Sequence, residues 1–143
     1  MIIHKGAKKR LSAETWPTLD LRLALLHETS TAAPTADDEF MADLVPASNE
    51  VVNADYERAV LAGLAYTWAT DHYELEADDT SFGVITSEGI TPQGTKTWVL
   101  LVHVTDDDDS WIVASHTFTI IDFEGTELLV PWVDGVVIDW GVE

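Results

Sequence analysis

Leu19, Leu21, Leu23 and Leu25 alternate with Asp20, Arg22 and Ala24. A period of two places all four leucines on one face of an extended chain, which a helix of 3.6 residues per turn cannot do. The segment is therefore a strand, and Trp16-Pro17 before it marks the turn into it. A strand needs partners, and the rest of the chain offers them. His72 to Ala77 alternates, with Tyr73 and Leu75 on one face, and Phe82 to Ile85 is a short apolar run. Trp98 to Val104 and Trp111 to Ile121 flank the acidic tip Asp106-Asp107-Asp108-Asp109, and a hairpin turn there sets Val104 opposite Trp111 and Leu100 opposite Ser115. Glu124-Gly125 and Asp134-Gly135 are two further hairpin signals. The reading is mainly β: an antiparallel β-sandwich or flattened barrel with one short α-helix.

That helix is expected at about residues 36–44. Thr35 suits an N-cap, Asp37 and Asp38 suit the first turn, and Pro46 ends the segment. Tyr56 to Trp68 is ambiguous. Its alanines and leucines suit a helix, but Tyr56, Arg58, Val60, Ala62, Leu64, Tyr66 and Trp68 also share one strand face, and its neighbours are strands, so a strand is expected.

With 143 residues and 46% hydrophobic residues, the chain is sized for one domain with a real core. Its formal charge of −19 argues against binding nucleic-acid phosphate or anionic membranes. It has no cysteine, hence no disulfide or thiolate site. No apolar run approaches the length of a membrane span, and the start lacks the apolar stretch of a secretory signal. The charge is uneven. Lys5, Lys8, Lys9 and Arg10 make residues 1–10 a basic N-terminal arm without acids, whereas residues 11–143, read as one β-rich domain, hold all 26 acids against Arg22, Arg58 and Lys96. The arm is either a solvated tail or a segment that docks on an acidic neighbour, weakly at high salt. As a free arm, it is expected to be removable without unfolding the body.

The Asp134-Gly135 signal predicts a final hairpin pairing Val133 with Val136 and Leu129 with Trp140. Leu129, Pro131, Val133, Val136, Ile138 and Trp140 share one face, and Leu128, Val130, Trp132 and Val137 the other. Pro131 favours an edge, and an edge hairpin apolar on both faces calls for burial. Two readings stay open: a contact with another subunit through Pro131, Trp132 and Trp140, or a place in the monomer's own core.

Catalytic chemistry finds little support. His4, His27, His72, His103 and His116 make none of the helical zinc spacings, and His103 and His116 fall about 13 Å apart along the sheet. The Asp106–Asp109 run lacks the spaced ligands of a calcium loop and reads as a solvated tip. Asp122 and Glu127 face each other across the Glu124-Gly125 turn, as an acid–base pair would, but also as ordinary like charges on a wet sheet. Serine-nucleophile, phosphate-loop and dinucleotide motifs are absent. The expectation is a non-enzymatic chain with no cofactor and no metal.

The order of its pieces carries a resemblance. The basic start HKGAKKRL is followed by the strand LDLRLALL, the segment TADDEFMADL, SNEV (Ser48 to Val51) with YER (Tyr56 to Arg58), and EADDTSF (Glu76 to Phe82). This resembles a family of small tailed-phage virion proteins whose run is a K-R-L start, a strand like "lkvaLl", "EV…gY.R" and "fdaddv.f". Val52-Asn53-Ala54-Asp55 stands where that pattern has a glycine-rich segment, and Asp106–Asp109 where it has a mixed loop. The resemblance implies a minor capsid or decoration protein on the capsid exterior, made in the host cytoplasm, homo-oligomeric, and partnered by the major capsid protein or neighbouring virion subunits. It implies no catalytic residue. A tail or connector component is the nearest alternative, and a carbohydrate-binding β-sandwich, with exposed tryptophans as stacking platforms, the alternative of a different class. The acidity would suit a halophilic host or a particle kept apart from its neighbours by charge.

Overall fold

The computed structural model describes residues 1–10, 18–26, 34–44, 50–51, 55–68, 72–85, 94–120 and 127–141. The leucine strand is β2 (Leu21–Leu26), fourth of five in the main sheet. It lies between β7 (Gly94–Val102) and β3 (Ala59–Val60), and β8 (Ile112–Ile120) and β1 (Ile2–Ile3) continue the sheet beyond β7. Two smaller sheets complete the architecture. One has the order β10 (Val136–Gly141), β5 (His72–Glu76), β4 (Ala65–Trp68), and the other pairs β6 (Thr80–Val84) with β9 (Glu127–Val130). Every pairing among the described residues is antiparallel, and the protein is mainly β, as its alternation predicts.

Leu21, Leu23 and Leu25 point into the larger core with Trp98, Leu100 and Val102, against Leu75, Phe82, Leu128, Val130, Trp132, Val137 and Ile138 of the small sheets. The opposite face of the main sheet is buried as well. Ala24, Leu26, Val99, Leu101 and Ile112 pack there against Met41 and Leu44. A strand buried on both faces loses the polar alternation of a solvated sheet, which is why Leu26 follows Leu25 at its end.

Five expectations are corrected. First, the acidic segment at 36–44 is no α-helix: it forms a single 3-10 turn at Met41–Asp43. Phe40 is extended and bridges Trp111, Ile112 N–H donates to Glu39 O, and Met41 N–H donates to Ser110 O. These bonds to the main sheet take the place of helical ones, and Asp43 Oδ2 accepts from the N–H groups of Glu39 and Phe40. The short α-helix is instead α1 (Lys5–Arg10).

Second, the stretch from Tyr56 to Trp68 is extended but broken. Gly63, at φ 64°, turns the chain between β3 and β4, which belong to different sheets. The single face is also not kept: Ala59 and Leu61 are buried and Val60 is exposed, whereas Tyr56, Leu64 and Tyr66 pack against the core.

Third, the β7–β8 hairpin is shifted by one residue. Leu100 faces Ala114 and Val99 faces Ser115, with a bulge between Leu100 and Leu101. Inside the turn, Ser110 Oγ bonds Val104 N–H and the carbonyls of Val104 and Asp106, so chain counted as strand is spent in the tip.

Fourth, β9 and β10 do not pair with each other. Asp134 at φ 54° and Gly135 at φ 79° make the left-handed turn that their sequence predicts, but it hands the chain from one small sheet to the other. Fifth, residues 1–10 are no free arm. Ile2 and Ile3 pair with Ser115 and Ala114, and His4 and Ala7 are fully buried.

Candidate functional site

The densest polar construction joins the chain entering β3, the β7–β8 tip and Glu50, which bridges Leu26 at the end of β2. Arg58 is its centre, 12% exposed in its side chain. Its Nε and Nη2 donate to the two oxygens of Glu50, each at 2.8 Å, and Nη2 also donates to Asp107 Oδ1 at 2.9 Å. Nη1 lies 3.3 Å from His103 Nδ1. A guanidinium can only donate, so in this contact the imidazole nitrogen accepts. Tyr56 O–H donates to Glu50 Oε1 at 2.8 Å and accepts from Leu25 N–H at 3.0 Å. Burial, and then the Glu50 charge, push the Tyr56 hydroxyl well above the usual phenol range, so it stays protonated. The hydrogen bonds that Arg58 donates to Glu50 push its own pKa up in turn and hold it as a cation.

The acidic tip is thus more than a solvated turn. Asp107 holds Arg58, and Asp106 closes the turn through its carbonyl, which accepts from Asp109 and Ser110, and its carboxylate, which accepts from Asp108 N–H. The Asp106 and Asp107 carboxylates serve different ends, and no grouping of three or more metal-ligating side chains exists among the described residues. Of the other body cations, Arg22 pairs with Asp20, whose carboxyl it holds below the usual range, and Lys96 is buried beside the core.

A cleft of about 510 Å³ opens beside this construction, lined by Arg22, Asp55, Glu57, Arg58, Val60 and Phe82 among others. Ser81 also borders it, but its hydroxyl donates to Glu127 at 2.5 Å and accepts from Gly83 N–H. The Ser81 hydroxyl is thus engaged on both sides within the β6–β9 pair. No family model, curated protein or solved structure matches this chain.

The residues singled out from sequence are distributed as follows. Arg10 donates to Glu39 at 3.0 Å and lies over the rings of Phe40 and Trp111. Lys5, Lys8 and Lys9 share its helix, and their side chains lie outside the described residues. Pro131 is exposed. Trp132 is 8% exposed and belongs to the larger core of the chain itself. Trp140 is opposite Tyr73 in the β10–β5 ladder, and its side chain, like all of Asp122, lies outside the described residues. His103 and His116 go to different neighbours: Arg58 for one, and Trp98, 5.7 Å between ring centres, for the other.

Because the basic segment is packed, deleting residues 1–10 is expected to destabilise the protein. The deletion uncovers the β8 edge and removes buried His4 and Ala7, a loss of about 2 kcal/mol or more and a Tm lower by roughly 4–8 °C. Thermal melting followed by circular dichroism measures it, and an unchanged Tm would mean that the segment contributes nothing.

Proposed function

We propose that this chain is a non-enzymatic structural subunit of a tailed-phage virion, a minor capsid or decoration protein that binds the shell and reinforces it. One observation carries the reading. Glu50, Tyr56 and Arg58, which lie in the segments that carry the resemblance, converge on one another and on Asp107. Their polar atoms are used in tying strands together, which is what a rigid building block requires and what a reactive centre does not. The acidic surface also suits an exterior position, where charge keeps particles apart. Reinforcement would come from many copies, each covering a seam between shell subunits.

The carbohydrate-binding alternative draws less support. Trp98 and Trp132 pack edge to face in the core, and Trp111 lies beneath Arg10, so none of these three is an open stacking platform.

Mass spectrometry of purified particles tests the proposal through copy number. Shell decoration predicts on the order of hundreds of copies per particle, whereas about six or twelve would place the chain in the tail or connector, following their rotational symmetry. Absence from purified particles would overturn the virion reading altogether.

A further inference from the structure

We infer that residues 1–10 form a strap latched to the main sheet by His4, and that protonation of this imidazole releases the strap. The ring is fully buried and ties three parts of the molecule together. Its Nδ1 lies 2.8 Å from the carbonyl oxygen of Asp38, which can only accept, so Nδ1 carries the proton. Nε2 lies 3.0 Å from Ser115 Oγ on β8 and, in the neutral ring, accepts the hydroxyl proton. The His4 backbone N–H donates to Val113 O. The rest of the described hold on the strap is a ladder of two residues, the packing of Ile3 and Ala7, and Arg10, which lies over the Phe40 and Trp111 rings and pairs with Glu39, both side chains one-third exposed.

A second proton on the ring disturbs this arrangement twice. Nε2 becomes a donor and forces the Ser115 hydroxyl to turn its own proton away. The charge also has no water around it. The charged and titratable groups on the surrounding elements are Asp37, Asp38, Glu39 and Asp43 on the covering segment, His116 on β8, the N-terminal ammonium of Met1, and Arg10 with Lys5, Lys8 and Lys9 on α1. Asp38 is the nearest acid, yet its carboxylate accepts from Thr35 N–H and Oγ1, and Glu39 holds Arg10. Burial outweighs the attraction of Asp38 and lowers the His4 pKa below the ordinary 6.5.

Release returns the ring to water and to its ordinary pKa, so the open form binds the proton more tightly. The latch is at full strength above about pH 6.5. Below that, opening is favoured about tenfold more for each pH unit, until the closed form itself titrates.

Hydrogen exchange on the intact chain, between about pH 7.5 and about pH 5 and corrected for intrinsic rates, reads the opening directly. The amides of His4 and Ala7 are expected to lose protection as the pH falls below 6.5, by up to about tenfold per unit, while those of Leu23 and Leu100 keep theirs. His4→Gln, which cannot titrate, should abolish the pH dependence. Constant protection, a loss shared by all strands together, or a pH dependence that survives in His4→Gln each overturns the proposal. If that variant fails to fold, the wild-type His4 titration followed by NMR decides: a pKa below 6.5 sustains the latch, and a value at or above it ends the idea.

Discussion

Trp132→Ala is expected to lower stability by roughly 3–5 kcal/mol, the range for removing a buried tryptophan from a core. Three contacts set this size. The ring meets Trp98 edge to face, with 5.4 Å between centres and an interplanar angle of 85°. Its Nε1 donates to Thr80 Oγ1 at 3.1 Å, and Thr80 is itself buried, so truncation leaves a hydroxyl without its donor. The aromatic body also fills the space between the main sheet and the β6–β9 pair, where a cavity would remain. Trp132→Phe separates these contributions. It keeps most of the packing and loses the hydrogen bond, so it should fall between the wild type and Trp132→Ala. The backbone bond from Trp132 N–H to Asp79 Oδ1 should persist in both. Urea denaturation gives the two differences. A Trp132→Ala protein as stable as the wild type but altered in oligomeric state would refute the core placement and return this residue to a subunit contact.

What the sequence disclosed and what it hid divide along a physical line. Strand identity follows from local alternation, so β2, β5, β7 and β8 were legible. Pairing depends on where turns and bulges absorb residues, so Leu100 was set against Ser115 when its partner is Ala114. The turn at Asp134-Gly135 was legible from its chemistry, but turn conformation does not say whether the strands on either side pair with each other. Asp37, Asp38 and Phe40 carry a helical signature, yet main-sheet hydrogen bonds at Glu39 and Met41 override it. The lysines of residues 1–10 suggested a solvated arm because they outweigh two small buried features, His4 and Ala7, that look unremarkable alone. The Arg58 cluster did have a signal. A chain with 26 acids and three cations beyond residue 10 gives each cation a choice of partners, and a cation between aromatic and apolar neighbours is expected to be held by several.

Arg58→Ala should be the most damaging change in that cluster, with a loss of about 3 kcal/mol or somewhat more, because it leaves the mostly buried Glu50 without its counter-charge. Truncating either acid is expected to cost less. Glu50→Gln still offers Tyr56 an acceptor oxygen and Arg58 one bond, so about 1–2 kcal/mol is expected. Asp107 is 40% exposed in its side chain, and Asp107→Asn should cost no more than about 1 kcal/mol, since water screens that pair. A double-mutant cycle between Arg58→Ala and Glu50→Gln isolates their coupling, which should exceed that between Arg58→Ala and Asp107→Asn. The asymmetry has a structural meaning. The Glu50 pair joins β3 to the chain beside the end of β2, inside the fold, whereas Asp107 secures the β7–β8 tip from outside. Loss of the Asp107 bond should therefore loosen the tip amides of Asp108 to Ser110 in hydrogen exchange while β2 keeps its protection. Equal couplings in the two cycles would mean that burial does not govern this cluster, and the view of Arg58 as an internal tie between strands would fall.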